Sequence, residues 1–298
     1  MSDKFQEVVS QIGNIGKEWH TQDLIVNAKR NKEYIKKTLR DLEKPSDKKK
    51  KSAIVISAGP SVHKFDVMKK IIDSGYDGLI IAVDGSYVKC LKNGIYPDMV
   101  VSLDPHPTRI VRWFGDPEFE KNMEGDDYFS RQDLDVEFRN NTIKENAQNI
   151  KTINENAYKT KLILCSSAPE NVVHRSVEAM FDTYWWNPIV DNPREEGSLT
   201  RELFNINKLP CMNTGGTVGT AAWVLADSIL DVEEIAVVGM DLGYHTETPI
   251  EMTQTIHELK DYLGTDKDIE QYFPKFTFPL DNQTYYTDPT YAWYRKNM

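Results

Sequence analysis

The sequence has little of what disulfide scaffolds, zinc knuckles and membrane spans require. Its three cysteines, Cys90, Cys165 and Cys211, lie far apart, form no CxxC pair and are odd in number, which argues against a disulfide framework or a zinc site. No run of about 18 apolar residues occurs, and the first residues, MSDKFQEVV, lack the apolar centre of a signal peptide. We therefore expect a cytoplasmic protein without an integral membrane segment.

Positive charge is also scarce. Lysine and arginine total 36 against 46 aspartates and glutamates, a formal charge of −10 over 298 residues. A broad basic surface for nucleic acid is therefore not expected. With 40% hydrophobic residues, the chain is long enough to bury a sizeable core.

Short apolar runs separated by helical patterns indicate the fold. Runs at 53–57, 79–83, 99–103, 161–165 and 235–239 are typical of parallel strands buried on both faces. They predict an α/β, Rossmann-like domain whose largely parallel sheet is flanked by helices. We place this nucleotide-binding catalytic domain at residues 52–250, after a helical lead-in and linker at 1–51 and before an irregular C-terminal lid or tail at 251–298.

Two phosphate-binding signatures are missing, because neither GxGxxG nor GxxxxGK[ST] occurs. The first strand instead leads into Gly59, Pro60 and Ser61 within the segment SAGPSV. A glycine permits close approach to a ligand, and a serine at a helix start supplies a hydroxyl and an N-cap. On these residues alone, a nucleotide-binding turn and a plain corner that caps a helix are both open.

Three aspartates follow predicted strands. Asp84, Asp104 and Asp241 each come at or just beyond a strand end, and the carboxyl ends of parallel strands share one edge of the sheet. An aspartate there can cap the next helix, accept a ribose hydroxyl or hold a metal. Capping is the simpler explanation for Asp84, whereas Asp104 lies in a stiff loop beside Pro105 and His106.

A hydroxyl-rich turn and a second glycine-flanked strand end come later in the chain. The turn consists of Asn213, Thr214, Gly215, Gly216 and Thr217. The apolar residues that follow recur with helical spacing, so this helix would direct its N-terminal amides and positive dipole end towards an anion. The next strand ends in GMDLGYH, which places Asp241 and Tyr244 at the same edge.

The segments AIVISAGPSV, IIAVDGSYVKCLKNGIYPDMVVSLDPHP and NTGGTVGTAAWVLADSILDVEEIAVVGMDLGY resemble the central domain of the motility-accessory-factor proteins, which are flagellin glycosyltransferases. This domain is similar to archaeal 6-hydroxymethylpterin diphosphokinases and is akin to bacterial sialyltransferases. The likeness covers roughly residues 52–244. In the sialyltransferase turn Gly-x-Gly-Pro-Ser, this chain has Ser57 in place of the first glycine and Ala58 where an asparagine is common.

The resemblance implies a nucleotide site, and it leaves several functions open. In the first, a nonulosonic, sialic-acid-like sugar moves from its CMP conjugate to a hydroxyl of a protein or glycan acceptor, with no required cofactor or metal. In the second, diphosphate moves from ATP to a hydroxymethyl group, which needs Mg²⁺. A non-catalytic nucleotide-binding module is a third reading. A homo-oligomer is compatible with each of them.

Sugar transfer needs a base that removes the acceptor proton. A general base should titrate near the working pH and lie at the sheet edge. His245 ranks first because it follows the strand end and Asp241, and His257 ranks second. Asp104, His106 and Asp241 are the further candidates.

Overall fold

The computed structural model describes residues 3–45, 51–107, 111–123, 136–253, 255–264, 268–278 and 282–298. The strands are β1 (Lys37–Thr38), β2 (Ser52–Ile56), β3 (Leu79–Val83), β4 (Met99–Ser102), β5 (Lys161–Cys165), β6 (Asp182–Ile189), β7 (Cys211–Asn213), β8 (Glu234–Val238), β9 (Tyr244–His245), β10 (Lys275–Phe278) and β11 (Gln283–Tyr286).

The helices are α1 (Asp3–Asn31), α2 (Ser61–Lys64), α3 (Val67–Asp73), α4 (Asp84–Lys92), α5 (Phe119–Met123), α6 (Val136–Asn156), α7 (Glu170–Glu178), α8 (Leu199–Asn207), α9 (Val218–Val224), α10 (Ile256–Leu263) and α11 (Pro289–Asn297). Helix α9 continues as a π-helical segment, Leu225–Ile229. Short 3₁₀ segments lie at Lys32–Tyr34, Leu39–Asp41, Arg112–Phe114, Ala157–Lys159, Ile250–Met252 and Ile269–Tyr272.

Eight strands form one parallel sheet in the order β1-β6-β5-β4-β3-β2-β8, with β7 paired beside the end of β6. The chain moves outward from β2 through β3, β4 and β5 to β6, and then returns so that β8 pairs with the other side of β2. The order therefore reverses between β2 and β8, which is where ligands bind in open α/β sheets. The predicted α/β, Rossmann-like sheet is confirmed.

Alternate residues of the central strands belong to two separate cores. Ile56 and Leu164 pack on one face with α4, α6 and α7, whereas Val55 and Ile163 pack on the other with α9 and its π-helical continuation. Side chains of a strand alternate between faces, so a continuous apolar run is needed to fill both cores. This explains why the sequence pattern located these strands.

The predicted helical lead-in is observed as α1, with a contribution that the pattern did not indicate. The start of α1 packs against the C-terminal region through Phe5, Val8 and Val9, and its later part packs against α8. Beyond α1, Lys37 and Thr38 form an edge strand that pairs in parallel with β6. The division of the chain at residues 51 and 250 stays a prediction.

Strand β8 differs from its expected burial. The pattern predicted a strand at 235–239 buried on both faces, but Ala236 and Val237 are exposed. The reason is topological, because β8 pairs only with β2 among the described strands and so forms an edge of the sheet. A second, antiparallel sheet in the order β10-β11-β9 lies beyond it in the chain.

Within the described ranges, no helix is long and apolar enough to cross a membrane.

Candidate functional site

The turn after β2 and the loop after β8 close on each other at the point where the strand order reverses. The Gly59 amide donates to the Gly239 carbonyl at 2.8 Å. A Cβ on Gly59 would lie 2.5 Å from that carbonyl oxygen and 2.6 Å from Asp241 Oδ2. Gly59 is therefore required for this approach of two loops, in addition to any approach of a ligand.

Asp241 holds the turn closed. Its Oδ2 accepts the Ser61 amide at 2.8 Å, and its Oδ1 accepts the Ser61 hydroxyl. Ser61 is the first residue of α2, so the carboxylate caps this short helix from a different strand. The structure thus brings Asp241, Gly59 and Ser61 together, and the Asp241 carboxylate holds the start of α2 in place.

Most backbone donors of this turn are already used inside the protein. The Ser57 amide donates to Val238, the Val62 amide to Gly59 and the His63 amide to Pro60, while Pro60 has no donor to offer. A phosphate cradle made only from these amides would have to open the turn.

The Ser57 side chain is different. It is 5% exposed, and its hydroxyl has no hydrogen-bond partner among the described residues. A buried polar group without a partner is unfavourable by about 1–3 kcal/mol unless a water or ligand satisfies it. Ser57 therefore marks a position where a polar ligand atom would be stabilising.

Side chains of the hydroxyl-rich turn before α9 accept hydrogen bonds from the backbone of the same turn. Asn213 Oδ1 accepts the Gly215 amide at 3.1 Å, and Thr214 Oγ1 accepts the Gly216 amide at 3.2 Å. Thr217 is the N-cap of α9, because its Oγ1 accepts the amide of Thr220 at 3.0 Å. These predicted residues build the turn with hydroxyl and amide groups.

The first turn of α9 retains donors and lies against Ser57. Within the described chain, the amides of Val218 and Gly219 have no acceptor. A Cβ on Gly219 would lie 2.7 Å from Ser57 Oγ and 3.2 Å from the Met240 methyl carbon. The β2 turn, the β8 loop and the start of α9 therefore meet, and the unpartnered hydroxyl lies close to Gly219.

The C-terminal helix covers the other side of the hydroxyl-rich turn. Gly216 has a φ of +91°, and a Cβ there would lie 2.5 Å from both the Trp293 and the Tyr294 rings. The backbone of Gly216 therefore makes a close approach to helix α11, and its predicted contact with a nucleotide remains a prediction.

Tyr244 connects β9 to that helix. Its hydroxyl donates to Asp288 Oδ2 at 3.0 Å, and its ring stacks on Tyr291 with a centroid distance of 5.0 Å. Asp288 is fully buried, caps α11 through the Tyr291 amide at 2.8 Å, and accepts from Thr255 Oγ1 at 2.7 Å. Burial raises the pKa of the Asp288 carboxyl and raises that of the Tyr244 hydroxyl well above its usual range.

Asp84 and Asp104 follow neighbouring strands, since Val83 pairs with Val101. Asp84 is 4% exposed and its Oδ1 accepts the adjacent Gly85 amide at 2.7 Å. Asp104 is half-buried, and its Oδ1 accepts the His106 amide at 2.8 Å. Among the residues that the structure describes, no three His, Cys, Asp or Glu side chains are grouped so that they could hold a metal ion.

The two ranked histidines lie in different surroundings. His245 is half-buried on β9, where its Nδ1 lies 3.2 Å from Lys64 Nζ. An ammonium can only donate, so Nδ1 accepts and the ring proton resides on Nε2. His245 could act as a base only after this bond opens. His257 is half-buried near the start of α10, and its role stays a prediction.

Sequence reasoning missed the roles of Ser57, Lys64 and Trp293 at this edge. Ser57 lies in the SAGPSV segment, where the sialyltransferase pattern has a glycine. This difference was the only indication in the sequence that its hydroxyl has a role. Lys64 lies only three residues beyond Ser61, but its partner His245 is 181 positions away. No local pattern indicates such a contact.

Comparisons with known proteins agree with the resemblance stated from the motifs. The sequence model of the 6-hydroxymethylpterin diphosphokinase MptE-like family matches residues 22–116. The fold is similar to that of the MAf glycosyltransferase from Magnetospirillum magneticum AMB-1, with a TM-score of 0.53 and 14% sequence identity over 93% of this chain. A comparison with curated proteins found no match. The predicted resemblance to motility-accessory-factor proteins and to 6-hydroxymethylpterin diphosphokinases is confirmed.

The match to the glycosyltransferase concerns architecture. The chain covers 33% of the length of that protein, or about a third. The family match contains β1 to β4, with Asp84 and Asp104, and ends before the hydroxyl-rich turn. The comparison with the solved structure therefore shows a shared fold and does not establish a shared activity.

Proposed function

We propose that this chain is a glycosyltransferase that moves a nonulosonic, sialic-acid-like sugar from a CMP-activated donor to an acceptor hydroxyl. One observation carries the proposal: the unpartnered Ser57 hydroxyl lies close to Gly219, in the first turn of α9, at the reversal of strand order. Similarity in fold to a glycosyltransferase supports it.

These donors suit an anionic group of the donor substrate. The hydroxyl of Ser57 and two amides at a helix start, where the dipole is positive, would donate hydrogen bonds to oxygens of the CMP phosphate or of the sugar carboxylate. The Asp241–Ser61 pair would keep the turn in place, so that these donors are preorganised before the substrate binds.

Sugar transfer from a CMP conjugate would not require a metal ion. CMP is a good leaving group, and the chain would supply orientation, charge complementarity and a base. Attack of the acceptor oxygen on the anomeric carbon breaks the bond to the phosphate, and the base takes the acceptor proton. His245, His257, Asp104, His106 and Asp241 remain the proposed candidates for the base.

A second function is favoured by a specific observation. The MptE-like match spans residues 22–116 and includes both Asp84 and Asp104 at neighbouring strand ends. A diphosphokinase would use such carboxylates to position Mg²⁺ with ATP phosphates. A module that binds a nucleotide without turnover is the third candidate.

Product analysis separates the three. We expect the protein to release CMP from CMP-sialic acid, with transfer to a protein or glycan acceptor, at a rate unaffected by Mg²⁺. Formation of AMP from ATP and 6-hydroxymethylpterin only with Mg²⁺ would instead establish the diphosphokinase. Saturable CMP binding with neither product would identify the non-catalytic module.

Matched serine variants connect the assay to the site. Ser57→Ala removes a buried hydroxyl without a protein partner, so donor affinity should fall while the free energy of unfolding stays the same or rises. Ser86→Ala is the control, because the Ser86 hydroxyl donates to the Ile56 carbonyl at 2.7 Å. It should lower stability and leave donor affinity unchanged. A Ser57→Ala protein with wild-type affinity would contradict the proposed site.

A further inference from the structure

Lys64 has an unusual set of neighbours for a surface lysine of an acidic protein. Its ammonium donates to Gln283 Oε1 and lies 3.2 Å from His245 Nδ1. It also lies 5.9 Å from the centroid of the Tyr285 ring. In the described part of the chain, no carboxylate lies within ion-pair distance of Lys64. By contrast, Lys69 on the next helix pairs with Asp73.

Lys64 lies next to the candidate site. Lys64 ends α2, which continues directly from the Ser57–Ser61 turn. His245 is on β9, which follows the Gly239–Asp241 loop. The contact between them therefore bridges the two segments that leave β2 and β8, the strands on either side of the reversal. Ligands of open α/β sheets bind at this crevice.

Both members of the contact present donors. An ammonium has no lone pair, so His245 Nδ1 must accept from Lys64, and the imidazole proton is then on Nε2. The side chains that contact the Lys64 ammonium, Gln283 and His245, carry no negative charge to neutralise it, and His245 adds an N–H. A fixed ammonium with a neighbouring donor favours an anionic oxygen and disfavours a cation.

We propose that Lys64 and His245 form an anion subsite at the mouth of the crevice, which takes a phosphate or carboxylate group of the ligand. Lys64 would contribute the charge, while His245 and Gln283 hold the ammonium in place and His245 adds the second donor. The inference rests on the proposed function for the identity of the ligand, but the subsite itself requires only an anion.

Titration calorimetry with three probes tests it: CMP, free sialic acid and inorganic pyrophosphate. Lys64→Met keeps the length of the side chain and removes the charge, and it should weaken binding of at least one probe about tenfold. Lys64→Arg should stay within about threefold of the wild type, because it keeps the charge. Lys69→Met is the matched control and should leave all three affinities unchanged.

The probes also distinguish the two sources of the anion. Loss confined to CMP and pyrophosphate identifies a phosphate, and loss confined to free sialic acid identifies a carboxylate. If the wild type binds neither CMP nor sialic acid but binds pyrophosphate through Lys64, the subsite stands and the sugar-transfer proposal fails. If Lys64→Met binds every probe as the wild type does, the subsite is refuted. Circular dichroism of each variant verifies that it is folded.

Discussion

Removing the Asp241 carboxylate should loosen the β2 turn, and the effect should be visible in stability before any assay of activity. Asp241→Ala deletes the acceptors of the Ser61 amide and the Ser61 hydroxyl. Hydrogen bonds to a charged group contribute about 1.5–3 kcal/mol each when buried. Because Asp241 and Ser61 are only half-buried, we expect a combined loss of about 2–3 kcal/mol.

A double-mutant cycle isolates the contact between the two side chains. Ser61→Ala alone removes only the hydroxyl donor and should cost about 1 kcal/mol. The double variant should then be more stable than the sum of the single losses predicts, by roughly 1 kcal/mol. Urea unfolding followed by circular dichroism measures all three, with a lower midpoint and an unchanged slope.

Asp73→Ala provides the matched control, because it removes an exposed carboxylate from an ion pair on α3. Surface pairs of this kind contribute little, so its midpoint should lie close to that of the wild type. The contrary result is an Asp241→Ala protein that unfolds at the same urea midpoint as the wild type while its turnover falls roughly 10²–10⁴-fold. In that case Asp241 acts as the base, and its positioning role is refuted.

Three further changes test the surroundings of the site. Gly216→Val should displace the Trp293 ring and lower the free energy of unfolding by about 2 kcal/mol or more by overpacking at a positive φ; urea unfolding at the wild-type midpoint would contradict this packing. Arg175→Met should lower the free energy of unfolding by about 3 kcal/mol or more, because the buried guanidinium donates to the carbonyl of Gly115 at 2.8 Å. A melting temperature equal to that of the wild type in calorimetry would contradict this loss. The raised pKa of Asp288 means that the folded state holds this proton more tightly than the unfolded state does, so its contribution to stability is present below the unfolded pKa and is lost as pH rises through the folded pKa. Asp288→Asn should flatten that part of a curve of stability against pH, and an unchanged curve would contradict the assignment.

The parts of the fold that could be predicted are those with a local physical signal. A central parallel strand must supply both cores, so runs such as Leu79–Val83 and Lys161–Cys165 are continuous and recognisable. The apolar composition of β8 also indicates a strand, but not that it lies at an edge, because exposure depends on which strands are its neighbours. A two-residue strand such as β1 has too few residues for any periodicity.

In the candidate site, too, some features could be predicted from the sequence and others could not. Topology alone places Gly59, Asp241 and Thr217 at one edge, because strand-end loops share it. By contrast, Asp241 closes the turn by accepting from Ser61, which lies 180 positions away in the chain. Trp293 covers Gly216 only because the C-terminal helix packs there. Such contacts arise from tertiary packing and leave no spacing in the sequence.

Calorimetric titration of CMP into the wild type and Ser57→Ala, each with and without Mg²⁺, tests the central claim most directly. The account predicts saturable binding of one CMP per chain, unaffected by Mg²⁺ and weakened about tenfold when the Ser57 hydroxyl is removed. No heat from CMP, or equal CMP affinities of the wild type and Ser57→Ala, would contradict it.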